Sequence, residues 1–266
     1  MSTVRWLAEA LAAGFPLRQG LKLFALSQLK LAAGRILFEL KLPMDLRLYA
    51  PLGYLPDVVR NVLHIFFYRD YEALSPFRPC EGWVVADVGA FVGIYTIRAA
   101  KLVGPSGSVI AVEPLPEHAR LVARNATVNS LANVRVVGAC ASDRWSEAEL
   151  LVPPSPINAT LKPEYARAMG GVRGRKRVRL FPLDALLDAE GPLDLVKVDV
   201  EGSELDLLRG SVLLTPHYVR RLAVEVHTDV VPSFLLAREL ERRGYATVIY
   251  LPEGAHGQAI VYAYLK

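Results

Sequence analysis

Val84-Val85-Ala86-Asp87-Val88-Gly89-Ala90-Phe91-Val92-Gly93-Ile94-Tyr95-Thr96 carries an apolar strand pattern into an acid, through two glycines, and on into a helix pattern. Gly89 lets the backbone turn sharply, and Gly93 lets the new helix start close to a ligand or to the sheet, where a Cβ would obstruct. Dinucleotide sites use a similar turn. Here, however, Asp87 ahead of the first glycine would repel a pyrophosphate, and the third glycine of the dinucleotide pattern is missing. Both features disfavour a nicotinamide-dependent Rossmann oxidoreductase. The loop of Asp87, Gly89, Ala90, Phe91 and Gly93 reads instead as a site for S-adenosyl-L-methionine, with the acid helping to hold its cationic amino group through water or a backbone contact.

Outward from this loop, strand and helix patterns alternate as in a parallel sheet covered by helices on both faces. Strands are predicted over Trp83 to Val88, Val109 to Glu113, Val134 to Cys140, Leu193 to Asp199, Arg221 to Val226, Tyr245 to Tyr250 and Ala259 to Leu265. Helices are predicted from Ile94 to Val103 and from Glu117 to Asn129. The stretch from Val152 to Arg179 is the least regular, and its length for a connection inside a compact domain predicts a lid or substrate loop.

Glu113 closes the second strand, where a carboxylate accepts two ribose hydroxyls at once. Ser142 and Asp143 follow the third strand at the expected adenine edge, though a turn-forming Ser-Asp pair reads there equally well. The fourth strand carries the stretch Asp194 to Gly202, whose alternation sets Lys197, Asp199 and Glu201 on the face opposite Val196, Val198 and Val200. The fifth repeats the pattern with Glu225 and His227. Charges inside a buried strand need partners or a purpose. If the two strands are neighbours, Lys197, Asp199, Glu225 and His227 form one cluster at the carboxyl edge of the sheet, where open α/β sheets bind ligands. His227 is the most economical general base near neutral pH, with Glu225 orienting it or binding an acceptor and Asp199 contacting the cofactor or acting as base. Asp199, Glu201 and Glu225 offer three oxygens to Mg²⁺ without a clear fourth ligand, so the sequence assigns no metal site.

With 266 residues, 52% hydrophobic and 22% charged, the chain suits one large folded unit with an extension at one end. Two cysteines, Cys80 and Cys140, exclude a disulfide framework or a cysteine-rich zinc site. Residues 1–44 are rich in Arg and Lys, and Leu26, Leu29, Ala33, Ile36, Leu37 and Leu40 recur at helical spacing. This predicts an amphipathic basic helix that caps the domain or makes peripheral contact with a membrane surface. No signal core or membrane span is read in the charge-broken amino terminus, and a cytoplasmic protein is expected. The net charge of +4 does not by itself call for nucleic acid. The basic run Arg173, Arg175, Lys176, Arg177 and Arg179 would suit RNA phosphates, but a solvated hairpin accounts for it better.

These segments together resemble the FkbM-type S-adenosylmethionine-dependent methyltransferases. The likeness runs in unbroken order through Asp87 to Gly93, Glu113-Pro114, Asn125 to Asn129, Leu183-Asp184, Lys197 to Glu204, and Glu225 to His227. It implies an α/β, Rossmann-like class I methyltransferase fold: a seven-stranded, mostly parallel sheet in order 3-2-1-4-5-7-6 over residues 71–266, with residues 1–70 as a helical N-terminal extension. It also implies methyl transfer to a hydroxyl oxygen of a sugar, glycolipid or other small-molecule acceptor. An RNA methyltransferase is the alternative.

Overall fold

The computed structural model describes residues 11, 14–28, 36–253 and 257–265. After a helix α1 (Leu17–Gln28), strands β1 (Leu37–Leu42) and β2 (Leu46–Pro51) pair as an antiparallel hairpin. Helix α2 (Leu55–Val62) continues into a wide turn at Leu63–Tyr68. Strand β3 (Val84–Val88) then leads through the glycine loop into α3 (Ile94–Val103), followed by β4 (Ser108–Val112), α4 (Pro116–Val128) and β5 (Val134–Val137). Strands β6 (Cys140–Ser142), β7 (Ser146–Val152) and β8 (Gly174–Pro182) form a separate small sheet, with α5 (Pro163–Ala168) between β7 and β8. The remainder is α6 (Leu183–Glu190), β9 (Leu195–Val198), α7 (Glu204–Gly210), β10 (Arg221–His227), α8 (Ser233–Arg242), β11 (Ala246–Tyr250) and β12 (Gln258–Tyr264).

The main sheet has seven strands in the order β11-β12-β10-β9-β3-β4-β5, parallel except for β12, which runs against both neighbours. In sheet positions this is the expected 3-2-1-4-5-7-6. Because side chains alternate along a strand, each strand feeds two cores. Val85, Leu195 and Ala223 face one core with Ile97, Val103, Leu40 and Val58, while Ala86, Val196, Val198 and Val224 face the other with Leu187, Leu208 and Leu236. Helices therefore cover both faces. No helix among the described residues is long and apolar enough to cross a membrane.

The amino-terminal reading needs correction. Ile36, Leu37 and Leu40 lie beyond α1, and Leu37–Leu42 is a strand in which Phe38, Leu40 and Leu42 point inward while their neighbours face solvent. Period-two burial wins here because Pro43-Met44-Asp45 makes a tight turn that returns Leu46, Leu48 and Ala50 to the same core. Leu29 and Ala33 of the predicted helix lie outside the described residues. The hairpin is fastened to α4 by side-chain amides. Asn125 Oδ1 accepts from the Tyr49 N–H at 2.8 Å, its Nδ2 donates to the Tyr49 and Val92 carbonyls, and Asn129 Oδ1 accepts from the Arg47 N–H.

The predicted third strand, Val134 to Cys140, is two strands in different sheets, β5 and β6, separated at Gly138 and Ala139. The stretch after Val152 is also more ordered than its sequence suggests. It holds a short turn at Pro156–Asn158, then α5, and its last residues already belong to β8. The basic run lies on β8 as part of a hairpin, with Arg175 paired to Glu149, Arg177 to Glu147 and Lys176 to Glu117.

Candidate active site

The glycine turn is fixed by lack of space. Gly89 has φ +84°, and a Cβ there would stand 1.8 Å from the Asp199 carbonyl oxygen, so the end of β9 lies directly against the loop. Gly93, at φ +85°, would bring a Cβ to 3.2 Å from Val122 of α4. Lys197 holds the loop from beneath: its Nζ donates to the Gly89 carbonyl at 2.9 Å and lies 3.2 Å from Asp87 Oδ1 and 3.6 Å from Asp199 Oδ2. Burial works against the charge on Lys197, but Asp87, Asp199 and Glu225 outweigh it and raise its pKa. Asp87 is fully buried, accepts from the Thr96 hydroxyl at 2.6 Å and does not line the cavity, so any part it has in cofactor binding passes through Lys197 and the loop backbone.

Above the carboxyl ends of β3, β4 and β9 lies a cavity that opens to solvent. Gly89, Ala90, Phe91, Glu113, Cys140, Ala141 and Asp199 line it, and Ile157 to Leu161 close it from the loop after β7. Glu113 is buried at its edge. One carboxylate oxygen accepts from the Phe91 N–H and the other from the Leu115 N–H, both at 2.9 Å, which leaves each oxygen able to accept again. Phe91 packs edge-on against His118, whose Nδ1 lies 3.5 Å from Glu113. Thr160 pins the loop by donating to the Glu201 carbonyl at 2.6 Å. Ser142 and Asp143 do not reach this cavity. They line a neighbouring cleft, where Asp143 accepts from the Ser142 hydroxyl and pairs with Arg144, while Cys140 and Ala141 occupy the cavity wall instead.

A second, more polar cleft adjoins the first and shares Asn61, Ile157, Asp199 and Glu201 with it. Asp57, Arg60, His64, Asp70, Tyr71, Glu225 and Gln258 complete its walls. The Tyr71 hydroxyl donates to Glu225. Burial first, and then Asp199, push the Glu225 carboxyl up to about 8, against the opposing pull of His227, Tyr71 and Lys197.

Strands β9 and β10 are neighbours, with Lys197 beside Ala223, so the expected cluster does assemble. His227 sits deeper than the rest. Its Nδ1 lies 2.8 Å from Glu204 Oε1 and its Nε2 lies 3.2 Å from Glu201 Oε2, and it lines neither cavity. Burial opposes a charge on the ring, but Glu201 and Glu204 raise its pKa well above the ordinary histidine value. A ring enclosed by two carboxylates is not placed to take a proton from an acceptor, so the free-base role suggested by strand alternation is corrected. Burial likewise raises the Glu201 pKa, with His227 acting the other way.

The comparisons with known proteins bear on this arrangement. The sequence profile described as the methyltransferase FkbM domain matches residues 87–246. The chain belongs to the FkbM methyltransferase family. "Methyltransferase 1" of Beauveria bassiana (strain ARSEF 2860) is 26% identical over 82% of this chain and 92% of its own length. "Methyltransferase sdnD" of Sordaria araneosa is 28% identical over 53% of this chain and 65% of its own length. The crystal structure of methyltransferase FkbM from Methylobacillus flagellatus KT shares the fold at 17% identity and a TM-score of 0.51, covering 97% of this chain and 60% of that one.

This FkbM protein is therefore a methyltransferase that uses S-adenosylmethionine. Its first cavity fits that group, since the glycine loop admits no Cβ beside Asp199 and Glu113 keeps free acceptor capacity at the edge. Within the motif from Lys197 to Glu204, Glu204 also has a function that residue type alone does not reveal: it accepts the Gly202 N–H at 2.9 Å and holds His227. Asn61, His64 and Tyr71 carry no motif signal and come to the site only through the fold.

Proposed function

We propose that this FkbM methyltransferase transfers the methyl group to a hydroxyl oxygen of a sugar, glycolipid or other small polyhydroxylated acceptor. The observation that carries this reading is the polar cleft that meets the glycine-loop cavity at Asp199 and Glu201. Its walls supply Asp57, Asp70, Asp199, Glu201 and Glu225, a set of acceptors matched to the many O–H donors of a polyol. S-adenosylmethionine supplies an already activated sulfonium methyl when bound. The chain's own task is then to line up the acceptor and accept its proton. Asp199 lines both cavities and Glu225 the polar cleft alone, and this reading gives them the proton-accepting role. Asp87, Gly89, Ala90, Phe91, Gly93 and Glu113 form or support the cofactor loop and the ribose edge in this reading. An RNA acceptor is less well supported, because Arg175, Lys176 and Arg177 are already paired with acids of the same molecule. The test is methyl transfer from labelled cofactor into cell extract separated into lipid, glycan, RNA and protein fractions. Label in glycan or glycolipid is expected, and label confined to RNA or protein would overturn the reading.

A further inference from the structure

Asp199 and Glu201 line both cavities, and His227 lies buried behind them, with one potential ligand atom from each of the three within 4.8 Å of the others. His227 is 3% exposed, and its Nε2 lies 3.2 Å from Glu201 Oε2 as an ion pair without hydrogen-bond geometry. Asp199 Oδ1 is buried without a hydrogen-bond partner among the described residues. The other ring nitrogen of His227 is held by Glu204, the arrangement in which a supporting carboxylate orients a metal-binding imidazole. Around this point the carboxylates Asp87, Asp199, Glu201 and Glu204 are paired, among the described residues, with Lys197 and His227, while Glu225 is pushed up to about 8. An excess of buried negative charge is costly unless a cation offsets it.

We propose that Asp199, Glu201 and His227 bind a divalent cation at the junction of the cofactor cavity and the acceptor cleft. Metal–ligand distances are about 2.0–2.2 Å for such donors, so the three atoms would close to about 3–3.5 Å from one another around one ion. Two carboxylates and one imidazole suit Mn²⁺ or Zn²⁺ better than an ion that prefers oxygen alone. The ion takes the place of the ring proton on Nε2. Tyr165, which donates to Glu201 and packs edge-on against His227, fixes the remaining side of the site. The role of the ion, holding and polarising an acceptor hydroxyl while Glu225 takes its proton, rests on the hydroxyl-acceptor reading above. The binding itself does not.

Titration of the full chain with MnCl₂, read by the electron paramagnetic resonance signal of free Mn²⁺, tests the site directly. One ion per chain is expected, displaced by ZnCl₂. Asp199→Asn, Glu201→Gln and His227→Gln should each weaken binding at least about 10-fold, and Glu204→Gln about 10–100-fold through loss of the supporting carboxylate. Glu149→Gln, on the small sheet, should leave it unchanged. If the buried His227 variant fails to fold, Asp199→Asn still decides, since Asp199 is partly exposed and its free oxygen holds nothing else. Failure of Mn²⁺ and Zn²⁺ to bind at millimolar concentration, or binding untouched by the Asp199 and Glu201 variants, overturns the proposal. Neither result depends on which acceptor is methylated.

Discussion

At the scale of single residues, Glu113 ties the glycine loop to the chain after β4 through the Phe91 and Leu115 N–H groups, and the proposed function gives it the cofactor ribose. Glu113→Ala removes charge-assisted acceptors and should weaken S-adenosylmethionine binding by about 1–3 kcal/mol in calorimetry. Unchanged affinity would take Glu113 out of the site. Glu225 faces the polar cleft, so Glu225→Gln should lower turnover about 10²–10⁴-fold while cofactor affinity stays constant, the pattern of a lost proton acceptor. Equal loss in affinity would mean that it shapes the cavity instead. The two cysteines differ in a way that can be measured by thiol titration. Burial, reinforced by Glu113, pushes the Cys140 thiol up to about 12, whereas Cys80 is exposed. The thiolate is the reactive form, so at pH 8 a disulfide reagent should label Cys80 alone and reach Cys140 only after unfolding.

At the scale of elements, the N-terminal hairpin and α4 depend on one another through Asn125. This fully buried amide serves both backbone groups of Tyr49 and the Val92 carbonyl just before α3. Asn125→Ala would leave these backbone groups unpaired in the interior, and a loss of about 2–4 kcal/mol is expected in denaturant unfolding. Amides of the hairpin should exchange faster while those of β10 keep their protection. Slower loss at the hairpin than in the central sheet would show that its apolar face, not Asn125, holds it. The motif from Asn125 to Asn129 is visible in the sequence. What it fastens is not, because its partners are backbone groups more than seventy residues earlier in the chain.

At the scale of the whole molecule, Phe38, Leu40, Leu48 and Val58 share one core with Val85, Ile97 and Tyr262. A chain beginning at Leu52 should therefore expose that core and lose cooperative melting in circular dichroism, while the full chain melts in one transition. A well-folded shortened chain would mark residues 1–51 as dispensable to the fold. The sequence by itself determined the main sheet, its strand order through the family resemblance, the glycine turn, Glu113 at the end of β4 and the charged faces of β9 and β10. These are local signals, since alternation, glycine spacing and an acid at a strand end are all read within a few residues. Only the tertiary structure decided that Leu37–Leu42 is a strand, that Asp87 supports Lys197 away from the cavity, that His227 is enclosed by Glu201 and Glu204, and that Asn61, His64 and Tyr71 wall the polar cleft. The hairpin strand has a local partner in Leu46–Pro51 but takes its burial from the shared core, and the others depend on partners far apart in sequence. Periodicity fixes which face a side chain takes, but only packing fixes which groups stand opposite it, and those groups set its charge and its access to a ligand.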